Sequence, residues 1–378
     1  MVDLETVVRF VLGVVALILG ARLLVQGAAR LAATVGVPPL VIGLTVVAFG
    51  TGAPELAVTL RAALSESPGG ADLGVGNVVG SNIANILLVL GASAMLTPLV
   101  VRRRLVGWDV PVMIAASALV LGLGWDGSLS RTDGAILFSG IVVYTVASIV
   151  QGRRAMARER AEQAEVLAAE GVPATPAAGP GQVLLQFVLI GVGLAILVVG
   201  ADQLVQAART FALAMGVSEL VIGLTVVAVG TSLPEAATSI IAGLRGERDI
   251  ALGNAVGSNI FNILAVLGLA GLITPGGVPV SSQALRFDIP VMIAVAVACL
   301  PVVFTGARIA RWEGVLFLAY YGIYTGFLYL RSEQHELIEE FSLVMVAFVL
   351  PLTILGLGLT VAWAVRSDRS PGEGRGRT

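Results

Sequence analysis

"GLTVVAFGTGAPE" occupies residues 43–55, and "GLTVVAVGTSLPE" occupies residues 223–235. Each stretch is an apolar segment that ends in a proline followed directly by a glutamate. The similarity extends upstream, so that residues 36–55 and 216–235 are identical at fifteen of twenty positions. Such agreement between two distant stretches indicates an internal repeat.

A second pair of similar stretches follows the first. "DLGVGNVVGSNIANILLVLG" at 72–91 and "DIALGNAVGSNIFNILAVLG" at 249–268 are identical at fourteen of twenty positions. Together with the first pair they define one repeat at about 36–91 and another at about 216–268. The chain therefore contains one unit of sequence twice.

The composition is that of an integral membrane protein. Hydrophobic residues make up 57% of the 378 residues and charged residues only 13%, whereas about a quarter of a soluble domain is charged. We expect the lipid bilayer as surroundings and no nucleic-acid partner. The net charge of −2 says little, because in a membrane protein the placement of charge carries the information. Eleven apolar runs are long enough to cross a bilayer. They lie near residues 7–25, 37–64, 72–96, 106–124, 133–151, 183–205, 217–244, 249–273, 287–305, 312–330 and 341–365.

The arginines predict the orientation of these spans. All 23 basic residues are arginine, and seventeen of them fall at one set of alternate span ends, against six at the other. Because cytoplasmic loops carry the excess of basic residues, we expect the N-terminus outside and the C-terminus in the cytoplasm.

The spans predict an all-α polytopic protein of two five-helix halves. We expect the first half at 1–150, a cytoplasmic linker at 151–181, the second half at 182–331, and an extra transmembrane helix with a cytoplasmic tail at 332–378. Because five is odd, the two halves would enter the membrane from opposite sides. Inverted-topology repeats of this kind are typical of secondary transporters, with the substrate site where the halves meet.

The repeated proline and glutamate predict an ion site within the membrane. Pro54 lacks an N–H group and clashes with the carbonyl four residues earlier, so the helix should kink or break there. An unpaired carbonyl at membrane depth costs several kcal/mol, and a carboxylate costs at least ~2.5 kcal/mol. A hard cation, which prefers oxygen ligands, would satisfy both groups at Glu55 and at Glu235.

The second motif adds polar side chains on one helical face. Ser81 and Asn85 are four residues apart, as are Ser258 and Asn262, and residues with this spacing share a helix face. A lone asparagine or serine in a membrane helix also serves to hydrogen-bond neighbouring helices. The glutamates are harder to explain by packing, because no span core contains a lysine or arginine to pair with them.

The paired motifs resemble those of the cation/Ca²⁺ exchanger superfamily, and in particular the prokaryotic sodium/calcium exchangers, whose two α-repeats carry G-T-S-x-P-E and G-S-N-I-x-N/D. The resemblance extends from about residue 5 to residue 330. It implies a ten-helix core in the inner membrane of a prokaryote, no cofactor, and Ca²⁺ and Na⁺ competing for sites between the halves. The ligands that it implies are Glu55 and Glu235, the carbonyls of Thr51, Thr231, Ala48 and Ala228, and the side chains of Ser81, Ser258, Ser232, Asn85 and Asn262.

The chain departs from the family pattern at three places. Gly52 stands where the family usually has serine, which removes one hydroxyl from the first repeat. Asn262 stands where some members have aspartate, so two carboxylates remain at the centre. The eleventh span is additional to the ten-helix core.

Other functions fit the residues less well. A Ca²⁺/H⁺ antiporter could use the same two glutamates, although protons would not need the neighbouring hydroxyls. A cation channel would need a ring of carboxylates, and two inverted repeats supply only a pair. An intramembrane enzyme would need a nucleophile or an acid–base pair, whereas Cys299 and His335 are each the single residue of their type. The counter-ion, Na⁺ or H⁺, stays open at this point.

Overall fold

The computed structural model describes most of the predicted core. The described residues are 4–64, 70–169, 180–215, 228–304 and 308–332. Residues 216–227 of the second repeat, His335, and the predicted eleventh span at 341–365 lie outside them.

The N-terminal part of the chain, up to residue 169, is helical because its apolar runs must satisfy their backbone groups internally in lipid. Three of its helical segments are π-helical, with a wider turn than an α-helix. In chain order its elements are α1 (Leu4–Val35), α2 (Pro39–Ile42), a π segment (Gly43–Val47), α3 (Ala48–Thr51), α4 (Ala53–Ala63), α5 (Gly70–Ala84), a π segment (Asn85–Leu90), α6 (Gly91–Leu96), β1 (Leu99–Val100), a π segment (Leu105–Asp109), α7 (Val110–Leu123), a 3₁₀ turn (Gly124–Asp126), β2 (Ser128–Leu129) and α8 (Arg131–Ala169).

The C-terminal part, from residue 180, follows a similar succession, in keeping with the repeated sequence. Its elements are α9 (Pro180–Ala214), α10 (Ala228–Thr231), α11 (Leu233–Leu244), α12 (Arg248–Phe261), a π segment (Asn262–Leu267), α13 (Gly268–Ile273), β3 (Val278–Pro279), a π segment (Ala284–Asp288), α14 (Ile289–Phe304), β4 (Arg308–Ile309) and α15 (Arg311–Ser332).

Six helices within the described residues are long and apolar enough to cross a membrane, and a bent pair would make a seventh. The helices that contain the second motif are the central ones, since 78% and 83% of their apolar windows are buried inside the protein. The corresponding windows of α1, α8 and α9 are only 28% buried, so these helices lie at the periphery. The six are Leu4–Val35, Gly74–Leu96, Leu105–Asp126, Arg131–Arg158, Gly181–Ala214 and Arg248–Ile273.

The break predicted at the first proline is confirmed. The bent pair consists of Pro39–Thr51 and Ala53–Ala63, which meet at 47°. Gly52 lies between them, and Pro54 occupies the first turn of α4, where its missing N–H leaves no helical hydrogen bond unmade. Ser232 has the same place between α10 and α11.

Two short strand pairs join the two parts of the chain. β1 pairs antiparallel with β4, and β2 pairs antiparallel with β3. β1 and β3 each follow the helix that ends a repeat, whereas β2 and β4 each precede a long helix. In each pair, a strand that follows a repeat in one part of the chain pairs with a strand that precedes a long helix in the other part. A pseudo-two-fold axis between the parts would produce this arrangement.

Candidate functional site

Glu55 and Glu235 lie in the first turns of α4 and α11 and are 0% and 1% exposed. The free N–H groups and partial positive charge of a helix N-terminus favour a carboxylate there. Within the described part of the chain, none of the four carboxylate oxygens has a hydrogen-bond partner, and the ion pairs involve other residues. Each glutamate therefore has unused ligand oxygens in a buried place.

The two glutamates belong to one site. Glu55 lies beside Thr231, and Glu235 lies beside Thr51, so each side chain reaches the broken helix of the other part. The two carboxylates are also close enough to interact electrostatically. Residues 180 positions apart in the chain are thus brought together between the two parts.

Two asparagines that sequence reasoning missed hold the backbone of the glutamates. Asn254 Nδ2 donates to the carbonyl oxygen of Glu235 at 3.2 Å and to Ser239 Oγ at 3.0 Å. Asn77 Nδ2 makes equivalent contacts with the carbonyl of Glu55 at 3.5 Å and with Thr59 Oγ1 at 3.1 Å. The sequence contained a signal for both residues, because an asparagine directly follows the first glycine of the second motif in each of the two repeats.

The serines and asparagines of the second motif are buried, and several of their polar atoms have no partner. α5 and α12 become π-helical at Asn85 and Asn262, and π segments occur frequently at functional sites. Buried polar atoms normally have partners, so these favour a bound ion. Within the described residues, the unpartnered side-chain oxygens of this motif are Ser81 Oγ, Asn85 Oδ1, Ser258 Oγ, Asn259 Oδ1 and Asn262 Oδ1, and Ser232 Oγ of the glutamate motif also has no partner.

The two central asparagines begin π segments that pack against the glutamate helices. The π segment that begins at Asn262 packs against α4, and the one that begins at Asn85 packs against α11. In the described structure none of the serine or asparagine oxygens hydrogen-bonds to a glutamate. The structure therefore brings Glu55, Glu235 and the two threonines into contact, with the second-motif side chains on the helices around them.

The predicted backbone ligands lie at the helix breaks. Ala48 is buried, and its carbonyl accepts the Gly52 N–H at 3.0 Å, which leaves one lone pair for another partner. Ala228 begins α10, and Thr231 ends it.

A second pair of asparagines joins α5 and α12. Asn82 Nδ2 donates to the carbonyl oxygen of Asn259 at 3.3 Å, and Asn259 Nδ2 donates to the carbonyl oxygen of Asn82 at 3.1 Å. Each amide also lies 3.5 Å from a methionine sulfur, that of Met292 and of Met113 respectively. The repeated arrangement is what two equivalent halves related by a pseudo-two-fold axis would make.

The donor set determines the chemistry of the site. Two carboxylates and several neutral oxygens suit a hard cation such as Ca²⁺ or Na⁺. Within the described residues, no cluster of three or more histidine, cysteine, aspartate or glutamate side chains that could hold a metal ion is present. A cation bound here would lie between the two parts of the chain, where movement of one part against the other could expose it to either side.

Comparison with known proteins agrees with this geometry. Residues 5–150 and 185–330 match the family described as sodium/calcium exchanger protein. The sodium/calcium exchanger MaX1 of Methanosarcina acetivorans is 32% identical over 335 residues, covering 82% of this chain and 94% of that protein. The inner membrane protein YrbG of Escherichia coli is 37% identical over 290 residues, covering 77% and 86%.

The solved structures show the same relationship. One structure of the sodium-calcium exchanger NCX_Mj, soaked without Na⁺ and Ca²⁺, matches with a TM-score of 0.70 and 32% identity. The match covers 85% of this chain and 98% of the other. The chain belongs to the sodium/calcium exchanger protein family and is an integral membrane transporter, not an enzyme.

Proposed function

We propose that the protein is a secondary antiporter that exchanges Na⁺ for Ca²⁺ by alternating access. The observation that carries this proposal is the pair of buried glutamates without partners, one from each part of the chain, beside the threonines of the opposite part. The family membership and the likeness to NCX_Mj support the same activity.

The charge of the site explains why transport would be coupled. Two ionised glutamates give the empty site a charge of about −2, which one Ca²⁺ or two Na⁺ neutralise. Moving an unneutralised carboxylate pair past an apolar barrier is unfavourable, so the two parts should rock only when the site is filled. A carrier that moves only when loaded exchanges one cation for another.

The proposed ligands are those implied by the family motifs. Glu55 and Glu235, with the carbonyls of Thr51 and Thr231, would hold Ca²⁺. Na⁺ would use the same carboxylates together with neutral oxygens, which suit a monovalent ion because they add no charge. These neutral ligands are Ser81, Ser258, Ser232, the carbonyls of Ala48 and Ala228, and the central amides Asn85 and Asn262.

The proposed architecture is a ten-helix core of two inverted five-helix repeats, at 1–150 and 182–331, with an extra C-terminal helix in 332–378. The crossed strand pairs and the reciprocal asparagines support a two-fold relation between the repeats. The arginine distribution supports an external N-terminus and a cytoplasmic C-terminus, and the resemblance to prokaryotic relatives supports the inner membrane of a prokaryote. The linker at 151–181 begins within α8, which continues to Ala169.

The experiment that tests the function separates Na⁺ from H⁺ as the driving ion. The full chain would be reconstituted in liposomes and loaded with Na⁺, and uptake of radioactive Ca²⁺ would be measured after dilution into Na⁺-free buffer at equal pH and clamped voltage. A matched set of liposomes would receive a pH gradient without Na⁺. We expect uptake with the Na⁺ gradient and little with the pH gradient.

The opposite result, with uptake driven by the pH gradient alone, would identify a Ca²⁺/H⁺ antiporter that uses the same glutamates. The absence of Ca²⁺ movement under both gradients, and of Ca²⁺ exchange for internal Ca²⁺, would contradict the proposal. Liposomes with Glu55→Gln protein provide the control for leakage. They contain the same amount of inserted protein, but that protein lacks one of the two site charges.

A further inference from the structure

The reciprocal contact between Asn82 and Asn259 fixes the orientation of both amides. A backbone carbonyl oxygen can only accept a hydrogen bond. The side-chain atom of Asn82 that contacts the Asn259 carbonyl at 3.3 Å must therefore be the nitrogen. The side-chain oxygen of Asn82 consequently faces the other way.

The orientation of the Asn82 amide determines the orientation of the Asn262 amide. Asn82 Oδ1 accepts a hydrogen bond from Asn262 Nδ2 at 3.1 Å. Because the Asn82 oxygen can only accept, Asn262 has to present its nitrogen to it and to turn its own oxygen away. Asn262 is 1% exposed, and its Oδ1 has no partner among the described residues.

The equivalent hydrogen bond in the other repeat, from Asn85 Nδ2 to Asn259 Oδ1, is not formed. Asn259 Oδ1 and both side-chain polar atoms of Asn85 are buried without a hydrogen-bond partner in the described structure. The two central amides are therefore not equivalent, although they occupy equivalent positions of the repeats. The amide of Asn262 is held in one orientation, and that of Asn85 is not.

We propose that Asn82 is a positioning residue that presents the side-chain oxygen of Asn262 to the transported cation. The π segment that Asn262 begins packs against α4, the helix of Glu55, and a buried oxygen without a donor is poorly satisfied unless a cation binds it. With the amide reversed, two N–H donors would face the cation and repel it. This inference rests on the proposed exchange function and identifies what sets the orientation of one of its ligands.

The pseudo-symmetry provides a matched pair of variants. Asn82→Leu and Asn259→Leu each remove one amide-to-carbonyl hydrogen bond and one contact with a methionine sulfur. Only Asn82→Leu also removes the acceptor that holds Asn262. Any difference between the two variants therefore reports on the positioning of Asn262, since the loss of packing is shared.

The measurement is exchange of external radioactive Ca²⁺ for internal Ca²⁺ in liposomes that contain the full chain, which does not depend on the counter-ion. Two quantities are compared, the Ca²⁺ concentration at half-maximal rate and the Na⁺ concentration that halves the rate. We expect Asn82→Leu to raise at least one of them about tenfold relative to Asn259→Leu, the effect of one contact with a charged group. Equal values for the two variants would overturn the proposal.

A double-mutant cycle with Asn262→Ala separates positioning from a general loss of structure. If Asn82 acts through Asn262, then in the Asn262→Ala background Asn82→Leu has little further effect on the Ca²⁺ concentration at half-maximal rate or on the Na⁺ concentration that halves the rate. The effect of Asn259→Leu on these two quantities stays the same. Additive effects of Asn82→Leu and Asn262→Ala would contradict the inference. Asn82→Ala and Asn259→Ala form a second matched pair in case the leucine variants fail to fold.

These outcomes are distinct from a failure of the proposed function. Wild-type protein that moves no Ca²⁺ would count against the exchange function itself. Wild-type protein that exchanges Ca²⁺, together with equal behaviour of the two single variants, would count only against the role of Asn82.

Discussion

Thr51 and Asn254 are hydrogen-bonded across the interface between the two parts of the chain. The threonine hydroxyl lies 3.1 Å from Asn254 Oδ1 and 3.1 Å from the carbonyl oxygen of Val47, so its single proton is shared between these two acceptors. The amide nitrogen of Asn254 donates to the carbonyl of Glu235 and to Ser239. The helix break of the first repeat is thereby connected to the glutamate-bearing turn of the second. Displacement of one repeat must therefore disturb the glutamate of the other or break this contact.

The first prediction concerns Asn254→Leu. The substitution removes the contacts to Thr51, Glu235 and Ser239 in a fully buried place, and an unsatisfied buried group costs about 1–3 kcal/mol. We expect a lower melting temperature in detergent and weakened Ca²⁺ exchange. Ser239→Ala is the control, because it removes the contact with Asn254 and the bond to the Ala251 carbonyl but leaves the contacts of Asn254 with Thr51 and Glu235, so it should cost less than Asn254→Leu. Equal melting temperatures for the two variants would show that Asn254 does not link the repeats.

The second prediction is that Glu55→Gln and Glu235→Gln each abolish Ca²⁺ exchange without unfolding the protein. Loss of one charged partner of a buried ion costs about 3–5 kcal/mol, which weakens Ca²⁺ binding by roughly a hundredfold or more. The melting temperature measured without Ca²⁺ should stay the same or rise, since each variant removes a buried charge that has no partner among the described residues. A folded variant that exchanges Ca²⁺ at the wild-type rate would exclude that glutamate from the site.

The helix break and the two buried glutamates could be predicted from the sequence because their signals are local. Pro54 predicts a helix break through its missing N–H, and the structure has a 47° bend at that place. Glu55 and Glu235 were recognisable because a carboxylate within an apolar run has no structural explanation without a partner. Each motif occurs once in each repeat, so that every position of the first copy could be compared with the equivalent position of the second copy.

The contacts between helices, within and between the repeats, could not be predicted, since they depend on how the helices pack. Asn77 and Asn254 lie four residues before Ser81 and Ser258 and share their helical face, but their partners Thr59 and Ser239 lie 18 and 15 residues away in the chain. Asn82 and Asn259 meet across 177 residues. The motif spacing places these asparagines on helices but says nothing about which helix each one faces.

The third prediction tests the packing of the two peripheral helices α1 and α9. A Cβ added at Gly193 would lie 2.6 Å from the backbone nitrogen of Leu24, whereas one added at Gly191 would meet nothing within 4 Å. Gly193→Ala should therefore force the helices apart and destabilise the protein by about 1–3 kcal/mol. Gly191→Ala, two residues earlier on the same helix, should leave the melting temperature unchanged or raise it, because alanine favours helix by up to ~1 kcal/mol. Equal effects of both variants would show that the close approach of α1 and α9 is unimportant for stability.

Gly52 shows why a departure from a family motif cannot be judged at one position. A serine there would restore the hydroxyl that Ser232 supplies in the second repeat. A Cβ at Gly52, however, would lie 2.8 Å from Cδ1 of Phe261 and 3.0 Å from the carbonyl oxygen of Ala48. The Phe261 ring also packs on Phe49, with centroids 4.7 Å apart, which restricts its movement.

The two repeats differ in a compensating manner at these positions. The first repeat has Gly52 in its glutamate motif and Ala84 in its second motif, whereas the second repeat has Ser232 and Phe261 at the equivalent places. The large ring thus lies against the repeat that has no side chain at residue 52. We infer that Gly52 and Phe261 are sterically coupled, because the ring occupies the space that a side chain at residue 52 would need. Neither residue can therefore be substituted alone without a cost in stability.

The fourth prediction is therefore that Gly52→Ser alone impairs the protein and that Phe261→Ala partly rescues it. Gly52→Ser overpacks the helix break and should cost about 1–3 kcal/mol, while Phe261→Ala alone leaves a cavity and should cost about 3–5 kcal/mol. In the double variant the serine gains room, so the melting temperature should lie above the value expected from adding the two losses. The restored hydroxyl should also lower the Na⁺ concentration that halves Ca²⁺ exchange, because Na⁺ gains a neutral oxygen ligand. Strictly additive melting temperatures would show that Gly52 and Phe261 do not compensate each other, and an unchanged Na⁺ concentration would place residue 52 outside the Na⁺ environment.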